Sequence, residues 1–286
     1  MIRKVLVVRF RRVGDAVVSS VICNTLRLNF PDAEIHYVLN EAIAPLFEGH
    51  PAVDRVIPFS ERENHTPRLY LRKVWRVMRR GRYDALIDLR GTLKTSWFSI
   101  FAPGVPYRIG RRKWYNCLWF NHRVTFSAAE TVSEVRENLH MLRPLKRERP
   151  LRYVTAFDLS VTEAETAAFR EYMKECGVDF SRPVMVCAPL TRVPGKEWDK
   201  ARMREVLARI LREYGAQLVI NYAPAEREAA VELYEAMGRP SGMFIDVEAR
   251  GLRQLGALLS NAGFFFGNEG GARHMAQAFG LPCFAI

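Results

Sequence analysis

Strand-sized apolar runs alternate with helical stretches along this chain, and the alternation runs twice. The first series places strands near Val5–Val8, Glu34–Leu39, Val53–Ile57, Ala85–Asp88 and Tyr107–Ile109, with an apolar-rich helix from Ala16 to about Leu28 after the first of them. The second series places strands at Val184–Ala188, Gln217–Asn221 and Met243–Asp246, with helices over Lys200–Tyr214, Ala225–Met237 and Leu252–Asn261. Such a rhythm implies βαβ units, a largely parallel sheet in each half and an α/β fold class. The charged stretch 143–182, with its run Leu142-Arg-Pro-Leu-Lys-Arg-Glu-Arg-Pro150 and a helix from Glu163 to Cys176, separates the two series. The expected organisation is a first Rossmann-like domain over 1–150, a linker and lead-in helix over 151–182, and a second Rossmann-like domain over 183–286. At 286 residues, 49% of them hydrophobic, the chain can bury the cores of two domains.

Where a parallel strand hands over to a helix, its carboxyl end faces the ligand crevice, so the residues at such turns are candidates for chemistry. Gly14-Asp15 follows the first strand. A carboxylate there is a catalytic candidate, and from the residues alone the N-cap of the helix that follows is the stronger reading of it, since Asp is a favoured N-cap. In the second half, the strand Phe264–Phe266 runs into Gly267-Asn-Glu-Gly-Gly-Ala-Arg-His274 and a helix over Ala272–Phe279. Gly270 and Gly271 permit close backbone approach, the first amides of a helix have no partner within it, and its dipole favours an anion. His274 lies within reach of that anion. The same glycines are compatible with a plain tight turn. The loop after Val184–Ala188 carries Thr191, Arg192 and Lys196, donors suited to phosphate oxygens, and with the Gly270-Gly271 turn they can hold a diphosphate from two sides.

Composition removes several function classes. Apolar runs are strand-sized and fall well short of the roughly 20 residues that span a bilayer. The N-terminal apolar run leads straight into Arg9, Arg11 and Arg12, which is not the pattern of a signal peptide. Five scattered cysteines read as free buried thiols of a reducing, cytoplasmic protein, and neither they nor the six histidines have metal-ligand spacing, so no metal is expected. The formal charge of +12 is concentrated in two places. Arg68, Arg72, Lys73, Arg76, Arg79, Arg80 and Arg82 crowd one amphipathic helix, while Arg108, Arg111, Arg112 and Lys113 mix with Trp114, Tyr115, Trp119 and Phe120. An anionic partner suits this distribution, and an amphipathic basic helix suits a membrane-surface acceptor at least as well as nucleic acid. No nucleic-acid-binding signature accompanies it.

The ordered set Gly14-Asp15, Lys196-Glu-Trp198 and Asn268-Glu-Gly-Gly-Ala-Arg-His274 leading into Met275-Ala-Gln-Ala-Phe-Gly-Leu-Pro282 resembles glycosyltransferase family 9, the lipopolysaccharide heptosyltransferases. Arg9 and the runs Pro31–Ile35 and Pro51–Val56 extend the similarity over nearly the whole chain. The resemblance implies a GT-B fold, two facing Rossmann-like domains with a cleft between them. It implies inverting, metal-independent transfer of a heptose from ADP-heptose to the phosphorylated, lipid-anchored inner core of lipopolysaccharide at the inner membrane, with no cofactor and no nucleic-acid partner. By that resemblance Asp15 is the general base, kept ionised by Arg9, Arg11 and Arg12. Thr191, Arg192, Lys196, Glu269, Gly270, Gly271 and His274 bind the donor, and Arg9, Arg11, Arg12, Arg108, Arg111 and Arg112 bind the acceptor.

The chain departs from the family pattern in places. Glu269 stands where Asp is common, Gly270 where Ser or Thr is common, and Ala272-Arg273 replaces Pro-Met. A longer acid with an added arginine alters contacts to the donor and leaves its sugar or nucleotide open. Relatives usually continue past Leu281–Ile286 with helices that pack back on the first domain, so the second domain reads as incomplete at its C-terminal end. Two other classes compete with the transferase. A nicotinamide-dependent enzyme is disfavoured, because the first strand-helix turn has Gly14 alone in place of Gly-x-Gly-x-x-Gly. A non-catalytic sugar-nucleotide or glycan binder of the same fold remains open.

Overall fold

The computed structural model describes residues 2–10, 12–127, 130–191 and 197–286. The chain divides into two compact units, Met1–Phe157 and Asp158–Ile286. In the first, strands β1 (Lys4–Val8), β2 (Glu34–Asn40), β3 (Arg55–Phe59), β4 (Ala85–Asp88), β5 (Tyr107–Arg111) and β6 (His122–Val124) alternate with helices α1 (Val13–Asn29), α2 (Glu61–His65), α3 (Pro67–Gly81) and α4 (Leu93–Ile100), and α5 (Glu134–His140) follows them. The six strands pair in the order β3-β2-β1-β4-β5-β6, all parallel. Val5 pairs with Ile35 on one side and Ala85 on the other, which makes β1 a central strand. Val5, Leu6, Val7 and Val8 are all fully buried, as a strand covered on both faces must be, and this is why it reads as a continuous apolar run with no alternation.

The sequence places the third strand at Val53–Ile57, and the structure shifts it to Arg55–Phe59. Proline is excluded from central strands because it lacks an N–H, but β3 lies at the sheet edge and tolerates Pro58. Asp54, just before β3, instead accepts from the Ile35 amide at 2.6 Å and fixes the approach. Helix α1 is buried over most of its surface because a further segment covers it. Thr25 accepts from the Val154 amide at 3.0 Å and Asn29 from the Arg152 amide at 2.9 Å, so residues 151–157 run along α1 and belong with the first unit. Helix α3 buries Tyr70, Val74 and Met78 and turns Arg68, Arg72, Arg76, Arg79 and Arg80 to solvent, the amphipathic basic helix expected from the sequence.

The second unit contains α6 (Glu163–Glu175), β7 (Val184–Ala188), α7 (Lys200–Tyr214), β8 (Gln217–Ile220), α8 (Arg227–Ala236), β9 (Met243–Phe244), α9 (Leu252–Ser260), β10 (Phe264–Gly267), α10 (Gly271–Ala278) and β11 (Cys283–Ala285). Its strands pair in the order β11-β10-β7-β8-β9, again all parallel. In both sheets the chain starts at an inner strand, winds outward in one direction and then crosses back to the other side. This produces a topological switch point between β1 and β4 in the first unit and between β7 and β10 in the second.

The thiols only partly follow expectation. Cys23 and Cys187 are buried, and burial pushes the Cys23 thiol up to about 12. Cys117 is exposed on the connection between β5 and β6.

Candidate active site

The switch point of the first unit opens into a polar pocket of about 450 Å³, lined among others by Arg9, Asp15, Arg90, Thr92, Arg111, Lys113, Glu134 and Glu137. Arg9 leaves the end of β1 with its amide bonded to the Val38 carbonyl, which aims the side chain across the strand ends. Its guanidinium is 8% exposed, and Nη2 lies 3.1 Å from Asp15 Oδ1, whose side chain is 16% exposed. The same nitrogen donates to Glu134 Oε1. One buried cation thus joins two carboxylates from helices remote in sequence, and Arg9 Nε has no hydrogen-bond partner among the described residues.

Helix α1 starts at Val13 with Arg12 as its N-cap, and no side chain caps it. Asp15 is therefore the third helical residue, inside the first turn, where the helix dipole favours a negative charge. The N-cap reading of Asp15 is not what the structure contains, because the helix begins three residues earlier than the Ala16 expected from the apolar pattern. The Asp15 carbonyl accepts from Ser19 Oγ at 2.6 Å, and Ser19 Oγ in turn receives Asn138 Nδ2 at 3.3 Å. Asn138 is buried, so this relay ties α5 to the first turn of α1 and sets Glu134 opposite Asp15.

The opposite wall is built by β4 and β5. Asp88, fully buried at the end of β4, accepts from the amides of Arg90 and Gly91 at 3.0 Å each and bends the chain into the pocket-lining segment. Gly91 is required there. Its φ is +55°, and an added Cβ would lie 3.2 Å from the Arg111 carbonyl. Burial raises the Asp88 carboxyl above its ordinary range, opposed by the bonds from Thr95, Gly91 and Arg90. Arg111 pairs with Glu137 at 3.2 Å, and its guanidinium stacks 4.8 Å from the centre of the Phe126 ring. Arg90 donates to the Phe10 carbonyl at 2.8 Å.

In the second unit the switch point relies on backbone. Gly267 ends β10 with φ +154°, and a Cβ there would sit 2.3 Å from the Ala188 carbonyl oxygen at the end of β7. The buried Asn268 follows. Its amide donates to the Ala188 carbonyl at 2.9 Å, its Nδ2 to the Pro189 carbonyl at 2.7 Å, and its Oδ1 accepts from the Trp198 amide at 3.2 Å. Gly270 is the uncapped N-cap of α10, so the first amides of α10 have no side-chain acceptor at the cap. Glu269 folds over this turn, accepting from Arg273 Nη2 at 2.7 Å and lying 3.3 Å from His274 Nε2. Two of the departures from the family pattern noted in the sequence, Glu269 and Arg273, are thus partners. Thr191 lies just past β7 and is partly exposed, while Asp199 caps α7 by accepting from the Arg202 amide at 2.9 Å. Among the described residues no group of three or more His, Cys, Asp or Glu side chains is placed to hold a metal ion.

The sequence pattern described as "Glycosyltransferase family 9 (heptosyltransferase)" matches residues 71–286. The chain belongs to glycosyltransferase family 9. Lipopolysaccharide heptosyltransferase 3 of Escherichia coli is 22% identical over 284 residues, which covers 96% of this chain and 80% of that protein. Among solved structures, the family 9 glycosyl transferase of Veillonella parvula superposes with a TM-score of 0.84 at 18% identity, covering 99% of this chain and 80% of that one. E. coli heptosyltransferase WaaC with ADP-2-deoxy-2-fluoro heptose superposes with a TM-score of 0.72 at 19% identity, covering 99% and 88%. The fold is GT-B, as the sequence resemblance implies.

Within this glycosyltransferase, the residues singled out by sequence distribute unevenly. Asp15, Arg9 and Arg111 line the first-unit pocket together. Arg12 is exposed at the start of α1, Arg112 is exposed beyond β5, and neither lines the pocket. Arg108 is engaged elsewhere: its guanidinium donates to the carbonyls of Pro103, Val105 and Trp119 and braces the chain around β5. Strand alternation explains the split, since Arg111 lies an odd number of residues from Arg108 and points to the other face. Arg9 itself pairs with two carboxylates of the protein, those of Asp15 and Glu134. Glu269, Gly270, Gly271 and His274 gather at the start of α10. Arg11, Arg192 and Lys196 lie outside the described residues.

Sequence reasoning passed over Glu134, Glu137, Asn138, Arg90 and Thr92, and counted Lys113 only as part of the basic segment Arg108–Lys113. A signal was available for part of this set: Ser133 followed by Glu134 and Glu137 has the acid-rich first turn of a helix. Thr92 with Thr95 marks the start of α4 in the same way, each side chain accepting from the other's amide.

Proposed function

We propose that this protein is an inverting glycosyltransferase that moves a heptose from ADP-heptose to a hydroxyl of the lipopolysaccharide inner core at the cytoplasmic face of the inner membrane. The observation that carries the reading is the Asp15 carboxylate, held by the buried Arg9 inside a polar pocket at a strand-end switch point. Membership of a family whose members use nucleotide-sugar donors supplies the reaction class. In the proposed step the acceptor hydroxyl attacks the anomeric carbon of the donor and passes its proton to Asp15. The bond from that carbon to the donor phosphate breaks, and ADP departs with the electron pair. One base and one stabilised leaving group suffice for such a single displacement, and no covalent intermediate on the enzyme is required. The amides at Gly270 and Gly271 and the side chains of Thr191, Arg192, Lys196 and His274 are the proposed partners of the diphosphate. Arg111 and Lys113 are the proposed partners of anionic groups on the acceptor.

The pairing of Glu269 with Arg273 favours a second reading, a donor other than ADP-heptose, because two of the residues that differ from the family pattern together reshape the donor end of the site. The test is transfer from ADP-heptose to an inner-core oligosaccharide, followed as ADP release and mass gain of the acceptor, with UDP- and GDP-sugars in parallel. Asp15→Asn is expected to reduce turnover by about 10³-fold with ADP binding retained. Full activity in that variant would remove the base assignment, and turnover confined to another nucleotide-sugar would replace the donor.

A further inference from the structure

The connection between β5 and β6 holds large apolar side chains in water. Trp114 is 90% exposed and Leu118 is 86% exposed. The backbone that carries them is firmly fixed. The buried Asn116 side chain accepts from the Lys113 amide at 3.1 Å and donates to the Arg111 carbonyl at 2.8 Å. Tyr115 donates from its hydroxyl to the Gly91 carbonyl at 3.0 Å, and Ser99 Oγ donates to the Trp119 carbonyl. The last two bonds fasten the connection to the turn before α4 and to α4 itself, whose own outward residues include Leu93, 59% exposed, and Trp97, 36% exposed. A braced loop that projects a tryptophan and a leucine, next to a helix that projects another such pair, forms an exposed apolar surface of the kind that marks an interaction site.

Charge identifies the partner. Arg112, also exposed, immediately precedes the loop, and α3 is joined to α4 through the Tyr70 hydroxyl on the Lys94 carbonyl at 2.9 Å. The solvent side of α3 carries Arg68, Arg72 and Arg76, so the apolar surface is bordered by cations in a chain of net charge +12. Tryptophan and leucine bordered by arginine match the headgroup region of an anionic bilayer, where the indole sits at the boundary and the cations meet lipid phosphates. No helix among the described residues is long and apolar enough to cross a membrane, so contact by this surface means lying on it. The chain also links the surface to the pocket twice. Thr92 and Lys113 line the pocket, and each is followed directly by an exposed apolar residue, Leu93 and Trp114.

We infer that the β5–β6 connection and α4 form a docking surface for an anionic lipid bilayer, which sets the mouth of the Asp15 pocket at the level of the headgroups. This deepens the proposed function, since it rests on an acceptor anchored in lipid. The test is co-sedimentation of the full chain with vesicles of phosphatidylcholine alone and of phosphatidylcholine with phosphatidylglycerol. Wild type is expected to sediment with the anionic vesicles only. The double variant Trp114→Ser/Leu118→Ser, which alters two solvent-exposed side chains, is expected to bind them on the order of tenfold more weakly, and Arg112→Glu to weaken binding less. Binding by the double variant equal to wild type, or no binding by wild type, would overturn the inference. So would a wild-type dimer in size-exclusion chromatography that the double variant loses, because the surface would then be covered by a second copy. Transfer to a delipidated acceptor separates the two readings: its loss in wild type overturns the proposed reaction, whereas unchanged transfer in the double variant with lost vesicle binding supports the docking surface.

Discussion

The two switch points occupy the same place in the same kind of sheet and are built from opposite materials. Between β1 and β4, side chains do the work: Arg9, Asp15, Arg111, Glu134 and Glu137 pair across the pocket. Between β7 and β10, main chain does it: Gly267 lets two strand ends approach, Asn268 bonds three backbone groups, and α10 presents uncapped amides. A site of amides is rigid and suits a ligand whose charge is always present, such as a diphosphate. A site of carboxylates held by guanidiniums can take up a proton at the carboxylates, which suits the proposed step on the acceptor hydroxyl.

This contrast can be broken at several points. After the loss of turnover expected for Asp15→Asn, the largest effect is expected from Arg9→Met. Removing the buried cation takes from Asp15 and Glu134 the guanidinium they share, so about 3 kcal/mol of stability should be lost in urea denaturation. The combination Arg9→Met/Glu134→Gln should recover part of that loss. Additive effects in the double variant would show that the pairing does not hold the pocket together. Gly267→Ala comes next, at about 2–3 kcal/mol, because the new methyl meets the Ala188 carbonyl and the backbone angle is unfavourable for any side chain. A variant as stable as wild type would remove the close approach on which the second site depends. Asn268→Ala is expected to cost about 2 kcal/mol by leaving the Pro189 carbonyl and the Trp198 amide unpaired, together with weaker ADP binding by calorimetry.

The smallest effect lies away from both sites and serves as their control. Glu165 accepts from Arg253 and the Thr162 amide, and these bonds lower its carboxyl to about 2. A carboxyl whose folded value lies below its unfolded one contributes stability above the unfolded value, near 4.5, and that contribution disappears as pH falls through about 2. The side chain is 35% exposed, so solvent screening limits the contribution to about 1 kcal/mol or less. Glu165→Gln should therefore lower the melting temperature slightly at pH 7 and not at pH 2, with turnover unchanged at both switch points.

The same contrast decides what could be read from the sequence. The second site is contiguous: Gly267 to His274 carries strand end, turn and helix start in one run, and the meaning of glycine at such a turn is local. β7, β8, β10 and their helices were legible for a related reason, since buried parallel strands are uninterrupted apolar runs. The first site was only half legible. Asp15 and Arg9 announce themselves beside β1, but Glu134 reaches them from α5, and its placement depends on Asn138, Ser19 and the packing of two helices. The three-residue β6 was also invisible, because His122-Arg-Val124 has no apolar run and owes its pairing to β5. Arg108 and Arg111 looked alike in sequence and differ only through the face of the strand each occupies.

Asn268 has a consequence for how this protein can change. By bonding both the Pro189 carbonyl and the Trp198 amide, it pins the two ends of the segment between them to one buried side chain. Loop-closure entropy rises only slowly with length, so residues can be added or removed between those two posts with little effect on the rest of the unit. A change of length between those two posts is therefore expected to leave β7 and β10 as they are.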